Sequence, residues 1–587
     1  EESIAGDLTG NREIVDEIYK VNYEYYSDAC NNQKSINYNN GLKIEKEYWP
    51  GSNLVTAIYT FSNEKVCKRE FKRYHPDSNV LVEEVEDDGV TKDKADLSGV
   101  TRRNITTYKI RDVEPVGLPE EIKCCVLNVQ TGEHEQIKRI ERTYQLTGEV
   151  LSESTYDADD QLQYTLHNEY DSHGNLVKHT NALGQVINKG YDSVDRLRVE
   201  EHPYKGLRYE YDYDRVDRLI RKSEVWDTGD RFEISFEYDF MGNKISETNA
   251  MGQTTYFEYD DFGRLIKTTL PQVETGECPV IGMEYNELGY PTKVTDPNGN
   301  SVITSYNLRG KPVEIIKPDG SVERFFYSLD GKLIKSISAT GIVTHISYDP
   351  IGRVICQEEI LPSGQSLGKT IKEYDTYHLL KTVLPDGLTT TFDYNSRGQL
   401  INECCGNKIK SFTYDSSGRV QSISDGNLIK YTIYDSVGRV IEERSENTFG
   451  KIENHIRYGY DDAGNQNRVY SYINGEAITY TQFNQRGQPL VVIDCEGNET
   501  RFKYDYNKLN GLNQRVLEVS SIDPMGYQEL TQFDSLGKPA LILKKNCFGD
   551  ITAKQEIFYD LAGRVIKQNH YVISEGELQR IITHNIT

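Results

Sequence analysis

Several groups of side chains in this sequence have the types and spacings that carry chemistry. Gly364-Gln365-Ser366-Leu367-Gly368-Lys369-Thr370 imitates a phosphate loop, where backbone amides between two glycines cradle an anion and a lysine reaches it. Three residues separate the glycines instead of four, and the stretch lies in a hairpin extension rather than between a strand and a helix. His167, His173 and His179 are evenly spaced around a turn, and a symmetric hairpin register would set His167 opposite His179, the beginning of a metal or pH-sensing pair. A solvated polar pair explains them as well. Asp157-Ala158-Asp159-Asp160 crowds three carboxylates but lacks the D-x-D-x-D-G frame and closing Glu of a calcium loop. The acid pairs Asp260-Asp261 and Asp461-Asp462 could serve glycosidase-type acid/base work, but turn capping accounts for them. The ten cysteines include no C-x-x-C, and adjacent pairs such as Cys124-Cys125 and Cys404-Cys405 point to opposite faces of a strand, so they read as free thiols rather than a zinc site. H-E-x-x-H is absent. The expected catalytic, cofactor-binding and metal-binding sets are therefore empty.

The elements that would have to position such groups are repeats. Tyr259-Asp260-Asp261-Phe262-Gly263-Arg264-Leu265 sets a pattern Y-D-x-x-G-R-(L/V). It recurs with Tyr348, Asp349, Gly352 and Arg353, with Tyr414, Asp415, Gly418 and Arg419, and with Tyr434, Asp435, Gly438 and Arg439. Tyr559, Asp560, Gly563 and Arg564 form another full copy, while Tyr460, Asp461 and Gly464 come close to it, with Asn465 in place of the arginine. Looser copies include Tyr170, Asp171 and Gly174, and Tyr238, Asp239 and Gly242, with others beginning at Tyr191, Tyr213, Tyr285, Tyr306, Tyr327, Tyr374, Tyr394, Phe483, Tyr504 and Phe533. About eighteen units result, mostly about 20 or 21 residues apart. Longer spacings carry extra polar residues, as in Pro271 to Ile281 and Leu361 to Ile371, and read as loop insertions at one end of the unit. Before each motif runs an alternating β-branched and aromatic stretch such as Thr254–Tyr259, and after it another, Leu265–Leu270. Each unit is thus a hairpin whose Asp bonds turn amides and whose Gly accepts positive φ. Breakers such as Asp296-Pro297-Asn298-Gly299 return the chain to the next hairpin. Helical periodicity is missing beyond Tyr144 except for ambiguous pieces near Tyr504 to Val516.

Composition suits such a ribbon. Hydrophobic residues make up only 37% of the 587, 42 of them tyrosine, so little purely apolar material exists for one thick core. A sheet of ~36 strands would be ~170 Å wide at ~4.8 Å per strand and must coil, a single circle of it measuring ~55 Å across. Side chains cannot fill that middle, so the predicted fold is all-β: tandem hairpins in a long antiparallel meander, coiled into a spiral, hollow shell. Tyrosines suit its wall, the ring packing on a neighbouring hairpin and the hydroxyl reaching water. A β-propeller is the rival, but about nine or ten blades would exceed the usual four to eight. A net charge of -25 argues against nucleic acid and acidic lipid surfaces, and no window approaches the roughly 18 apolar residues of a membrane helix. Opening on Glu1-Glu2 rather than Met, the chain reads as a segment of a longer precursor or as a trimmed chain.

The motif series resembles the YD-repeat, or Rhs, family, which includes bacterial Rhs polymorphic toxins, the BC component of Tc insecticidal toxins and the shell region of teneurins. The resemblance covers about residues 144 to 587. It implies a non-catalytic cocoon that encloses and carries a C-terminal toxic polypeptide, with that polypeptide or other segments of the precursor as partner, a delivery apparatus as a further one, and a secreted or cell-surface parent. The alternatives are an adhesion scaffold, as in teneurins, or a glycan- or cell-wall-binding array, against which stand only two indoles, Trp49 and Trp226. Some copies depart from the pattern: Asp195 and Asp217 replace the turn glycine, and His378 does so after Tyr374. These residues include no counterpart of the family's paired D-P-x-G shell-closing segment, and Asp296, Asp349 and Asp523 lie in ordinary repeat turns, so no protease role passes to them.

Residues 1 to 140 keep β character but lose phase and are expected to form a degenerate edge or cap of the shell, with 141 to 587 as the repeat shell proper. Phe71 to Leu81 reads as a decayed unit with Asn79 in the glycine role, and Gly89 to Gly99 as an exposed polar loop. One consequence is measurable. Gly263→Val should strain its turn by about 1 to 2 kcal/mol, seen as a lowered urea or thermal midpoint, and an unchanged midpoint would remove the glycine from the left-handed position.

Overall fold

The computed structural model describes the chain except residues 1, 7, 10–16, 28–29, 39, 130, 473–476, 575–576 and 587. Its strands form one 48-stranded sheet in which every strand pairs antiparallel with its neighbours in sequence. Helix is reduced, among the described residues, to one 3-10 turn, Pro203–Lys205. Ten of these strands, from Glu2–Gly6 to His134–Tyr144, are present because the N-terminal residues continue the same meander. The piece from Tyr504 to Val516 is also extended, within the strands Glu499–Leu509 and Arg515–Ile522. A propeller is thereby excluded, since its blades would be separate sheets. The sheet is not closed into a barrel: among the described residues Glu2–Gly6 pairs only with Glu17–Tyr25, and Glu577–Asn585 only with Val565–Ser574.

The ribbon winds on itself. Its hairpin turns fall on two edges, a motif edge carrying the Tyr-Asp turns and a return edge carrying the others, and the motif edge of the second coil rests on the return edge of the first. Asn307 Nδ2 donates to the Leu8 carbonyl at 2.6 Å, the Ala158 amide to the Ser416 carbonyl at 3.0 Å, Gln253 Nε2 to the Arg515 carbonyl at 2.8 Å, and Ser535 Oγ to the Gln272 carbonyl at 2.7 Å. Asn298 Nδ2 reaches Asp560 Oδ2 at 2.8 Å. Such partners lie about 23 to 25 strands apart in the element order, so one coil has ~110 Å of perimeter and is ~35 Å across before strand tilt is counted. Two tighter coils replace the single wide circle expected from strand count alone.

The strongest clasp on this seam is Arg486, which pairs with both carboxylate oxygens of Glu224 at 2.8 and 3.2 Å. Its guanidinium also lies 5.4, 4.2 and 5.0 Å from the ring centres of Trp226, Phe232 and Tyr506. Trp226 is buried there.

The accessible surface is 32785 Å², against about 21,000 Å² for a compact globular monomer of this mass. A thin wall with two solvated faces accounts for the difference. Alternation along each strand then leaves side chains half-buried on one face and open on the other, as in Thr254–Tyr259.

Buried apolar side chains gather into one described cluster, Ala57, Tyr59, Phe71, Val85, Ile105, Cys125 and Leu127, all in the N-terminal strands. Residues 88–102 fold back over it. Their side chains are mostly exposed as expected, but their backbone faces inward: Arg69, fully buried, donates to the carbonyls of Thr91, Asp93 and Asp96 and pairs with buried Asp87, which also accepts from Arg103 Nε at 2.7 Å. Gly89 is required because a Cβ there would lie 2.1 Å from the Arg69 guanidinium carbon.

Other local expectations resolve as follows. Gly263 has φ +76°, Asn79 +56°, and Asp195 and Asp217 +63° and +66°, so each occupies the left-handed position. The turn ending at His378 is instead one residue shorter, Asp375 N–H meeting the His378 carbonyl at 3.1 Å where the full turn spans one more, and His378 takes no positive φ. Insertion at Pro271 to Ile281 is a loop from Leu270 to Pro279. That at Leu361 to Ile371 is not: an ordinary turn joins longer strands, Val354–Ile360 and Ser366–Tyr374.

Removing Arg69 leaves three inward carbonyls and half of Asp87 without a partner, a loss on the scale of ~3 to 5 kcal/mol for a broken buried pair. Arg69→Leu should accelerate amide exchange across residues 89–101 while leaving 254–269 unchanged; equal protection of the two segments in the variant would refute the clasp.

Candidate functional site

The motif that dominates the sequence builds a chain of linked turns. In the unit at Tyr259, the Asp260 amide donates to the Arg264 carbonyl at 2.9 Å and the Gly263 amide to the Asp260 carbonyl at 2.9 Å, closing the turn. Asp260 Oδ1 accepts the amides of Phe262 and Arg264 at 3.0 and 2.9 Å, and Oδ2 accepts Arg264 Nε at 2.6 Å. Burial would raise this carboxyl, but the bonds from Arg264 and the Phe262 amide outweigh it and hold the group below the ordinary Asp value. The aspartate caps the turn in its ionised form.

Two further contacts join each turn to its neighbour. Arg264 Nη1 donates to the Asn286 carbonyl of the next motif turn at 2.9 Å, and its guanidinium lies 5.0 Å from the Tyr285 ring centre. In the other direction the Tyr285 hydroxyl donates to the Leu265 carbonyl at 2.7 Å, as the Tyr259 hydroxyl donates to the Lys244 carbonyl at 2.8 Å. Tyr170, Tyr238, Tyr348, Tyr414, Tyr434, Tyr460 and Tyr559 repeat the hydroxyl bond at 2.7 to 3.1 Å. The hydroxyls therefore meet backbone rather than water, and burial raises the Tyr259 and Tyr348 hydroxyls above their usual value. Arg353 and Arg419 repeat the onward bond to Asp375 and Asp435. Arg439 pairs with Asp435 at 2.7 Å and stacks 4.3 Å from the Tyr460 ring centre. Arg564 pairs with Asp560 only. Where Asn stands for Arg, as after Asp171, Asp239 and Asp461, the amide bonds the same carboxylate at 2.9 to 3.1 Å. Gly174, Gly242, Gly352, Gly418, Gly438, Gly464 and Gly563 all have positive φ.

Sequence reading missed the bond between hairpins and the reach of the arginine. The signal was there in the N-terminal region: Tyr48 and Tyr74, outside the repeat phase, donate to the carbonyls of Gln33 and Val55 at 2.8 and 2.9 Å. Tyr504 likewise bonds the Pro489 carbonyl at 3.1 Å, although its turn has moved to Asn510–Gln514, with Asn513 in the left-handed position.

The groups singled out for chemistry are otherwise engaged. His167 pairs with Thr180 rather than His179, because a bulge beside the Tyr170 turn shifts the register by one; His179 Nδ1 meets Asn168 Oδ1 at 2.8 Å and His173 Nδ1 meets Asp195 Oδ1 at 2.8 Å. The Asp157 carboxylate accepts from Asp159, Gln161, Gln163 and Ser416, making it a seam residue. Thr370 and Lys369 belong to a strand, with Lys369 Nζ 3.3 Å from Glu358, so no amide cradle forms. Among the described residues no three His, Cys, Asp or Glu side chains are grouped to hold a metal.

Residues 275–462 match the family model described as Teneurin YD-shell, and residues 170–202 the RHS Repeat model. A curated relative, double-stranded DNA deaminase toxin A of Burkholderia cenocepacia (strain H111), is 30% identical over 105 residues, which are 16% of this chain and 7% of the relative. Among solved structures, the TcdB2–TccC3–TEV crystal structure superposes at TM-score 0.56 with 12% identity, covering 100% of this chain and 42% of that one. The Photorhabdus luminescens Tc holotoxin pore carrying a TccC3 mutation gives 0.56 and 11%, covering 99% and 42%. This chain thus spans about two fifths of the structures it resembles, and the likeness shows their fold.

If the arginine acts by reaching the next turn, its removal should matter less at Arg564, which among the described residues bonds its own Asp560 and no further turn. Arg419→Ala should cost about 1 to 2 kcal/mol, combining a charged hydrogen bond to backbone with a ring contact, and Arg564→Ala distinctly less. Paired urea melts check this, and equal losses would reduce the arginine to a partner of its own Asp. Repeat, fold and model matches agree: residues 170–202 are similar to the RHS Repeat and residues 275–462 to the Teneurin YD-shell.

Proposed function

We propose that this chain is a non-catalytic wall segment of a secreted toxin shell, enclosing a toxic polypeptide that belongs to the same precursor. The observation that carries the reading is the excess surface: a wall two coils deep exposes about half as much again as a compact protein of its mass, and half of that wall faces inward. Motif residues are consumed in joining hairpins, which suits a container rather than a catalyst. Solved relatives pair a TcdB2 shell chain with TccC3, and a curated relative is named a toxin. The N-terminal strands to about residue 140, with their clasped loop, would then form an end of the wall.

A second reading, an adhesion scaffold, draws on the length of the Teneurin YD-shell match. Glycan binding through indole is disfavoured by Trp226, which is buried in the seam. The deciding experiment is protease protection in the natural full-length product. Sequence outside the repeats should resist digestion until the sheet is unfolded by denaturant. Its digestion under native conditions would overturn enclosure and leave the scaffold.

A further inference from the structure

Residues 88–102, the strap that folds over the N-terminal cluster, also meet the second coil. Arg102 carries the contact: its guanidinium lies 5.7 Å from the Tyr377 ring centre, and its Nη1 lies 3.4 Å from His378 Nε2. Beside it Thr376 Oγ1 donates to the Cys67 carbonyl at 2.8 Å. Gly398 makes room, since a Cβ there would lie 2.1 Å from Arg102 Nη1 and 2.9 Å from His378 Nε2. The His378 ring is fixed, stacked 4.3 Å from Tyr394 with only 12% of the side chain exposed.

The partners of this ring dictate where its proton sits. A guanidinium only donates, so His378 Nε2 must present its lone pair to Arg102, and the ring proton belongs on Nδ1, 3.3 Å from Asp375 Oδ2. The contact therefore exists for the neutral imidazole alone. A second proton, on Nε2, would set two cations face to face. His173, His202 and His455 instead aim a ring nitrogen at a carboxylate, Asp195, Glu200 and Glu442, at 2.8 to 3.0 Å. Acid strengthens those three contacts. Of the four histidines only His378 loses a partner, and it stands on the seam.

We propose that His378 makes the seam acid-labile at this point, protonation of Nε2 releasing residues 88–102 from the turn that carries it. The charges around the ring support this. Asp375 shares the turn with His378, accepts the Tyr377 and His378 amides, and stays with the ring whether the strap is docked or not. Arg353, bonded to the Asp375 and Thr376 carbonyls, stays as well. Carboxylates on the side of the strap are already engaged: Asp87 with Arg69 and Arg103, Glu86 with Lys68, Asp88 with the amides of Thr101 and Arg102, and Glu135 with Arg397. The charge that leaves the ring when the strap lifts is that of Arg102, so a proton on His378 favours the lifted strap. Docking is present while the imidazole is neutral and is lost as pH falls through the range in which it charges. The Thr376 bond to the Cys67 carbonyl contains no titrating group, so the coils stay joined there.

Hydrogen exchange on the intact chain, read by mass spectrometry at about pH 7.5 and about pH 5.5, tests this in a window that imidazoles cross and ordinary carboxylates do not. Protection of residues 95–102, taken relative to 254–269 in the same sample, should fall about fivefold or more at the lower pH. His378→Gln, whose amide oxygen accepts from Arg102 at either pH, should hold that ratio constant. Arg102→Gln removes the cation, so it should abolish the pH dependence while exchanging faster at both values. An unchanged ratio in the parent chain overturns the proposal. So does a fall of the parent's size in either variant, since the titrating group then lies elsewhere. Far-ultraviolet circular dichroism equal to the parent's at both pH values separates release of the strap from unfolding.

Discussion

The structure depends on the hydrogen bond that motif tyrosines such as Tyr259, Tyr348 and Tyr434 give to the first carbonyl of the outgoing strand in the preceding hairpin. A wall one sheet thick has no interior to hold it, and the apolar cluster found among the described residues lies in the N-terminal strands, outside most of the repeats. Cohesion must therefore pass from neighbour to neighbour, as in other repeat proteins. The ladder supplies part of it, but a ladder alone leaves the angle between successive hairpins free. A ring packed on the adjacent strand with its hydroxyl tied to that strand's carbonyl fixes the angle, and the arginine fixes it again from the other side.

Coiling adds a parity condition. Turns alternate between the two edges, so a motif edge can meet a return edge only when the coils are displaced by an odd number of strands. Seam partners satisfy this throughout, from Asn307 on Leu8 to Asn298 on Asp560. The seam is also the weaker direction of the wall. Within a coil every strand is bonded along its length; between coils the described contacts are scattered hydrogen bonds from turn to turn, with packed points at Arg486 and at Arg102 on Tyr377. Force or denaturant applied to the shell would part the coils before it parts the strands.

Most of the ribbon was legible in the sequence because its physics is local. Tyr259 to Leu265 states a turn, its two strands and its glycine within seven residues, and the structure follows. Asp195 and Asp217 were legible as glycine substitutes because a short polar side chain tolerates the left-handed region. What could not be read is what local pattern does not encode. The His167 register turned on a bulge, which displaces a strand by one residue without leaving a mark in the spacing. The inward turn of residues 88–102 depended on Arg69, about twenty residues upstream and in a strand where an arginine is ordinary. Coil diameter was misjudged because strand number sets the perimeter of a closed ring and says nothing about how often a ribbon overlaps itself.

The chemistry of the seam bears on how such a chain can change length over generations. Gln253, Asn307, Gln514 and Ser535 reach across it to main-chain carbonyls, an acceptor that every residue supplies. Duplicating one repeat inserts two strands, slides every later turn two places along the coil beneath, and keeps the parity of the edges. New partners are then as able to accept as the old ones. Growth by whole hairpins lengthens the ribbon without widening its coil, so its reach along the coil axis rises in equal steps with the number of copies in the gene.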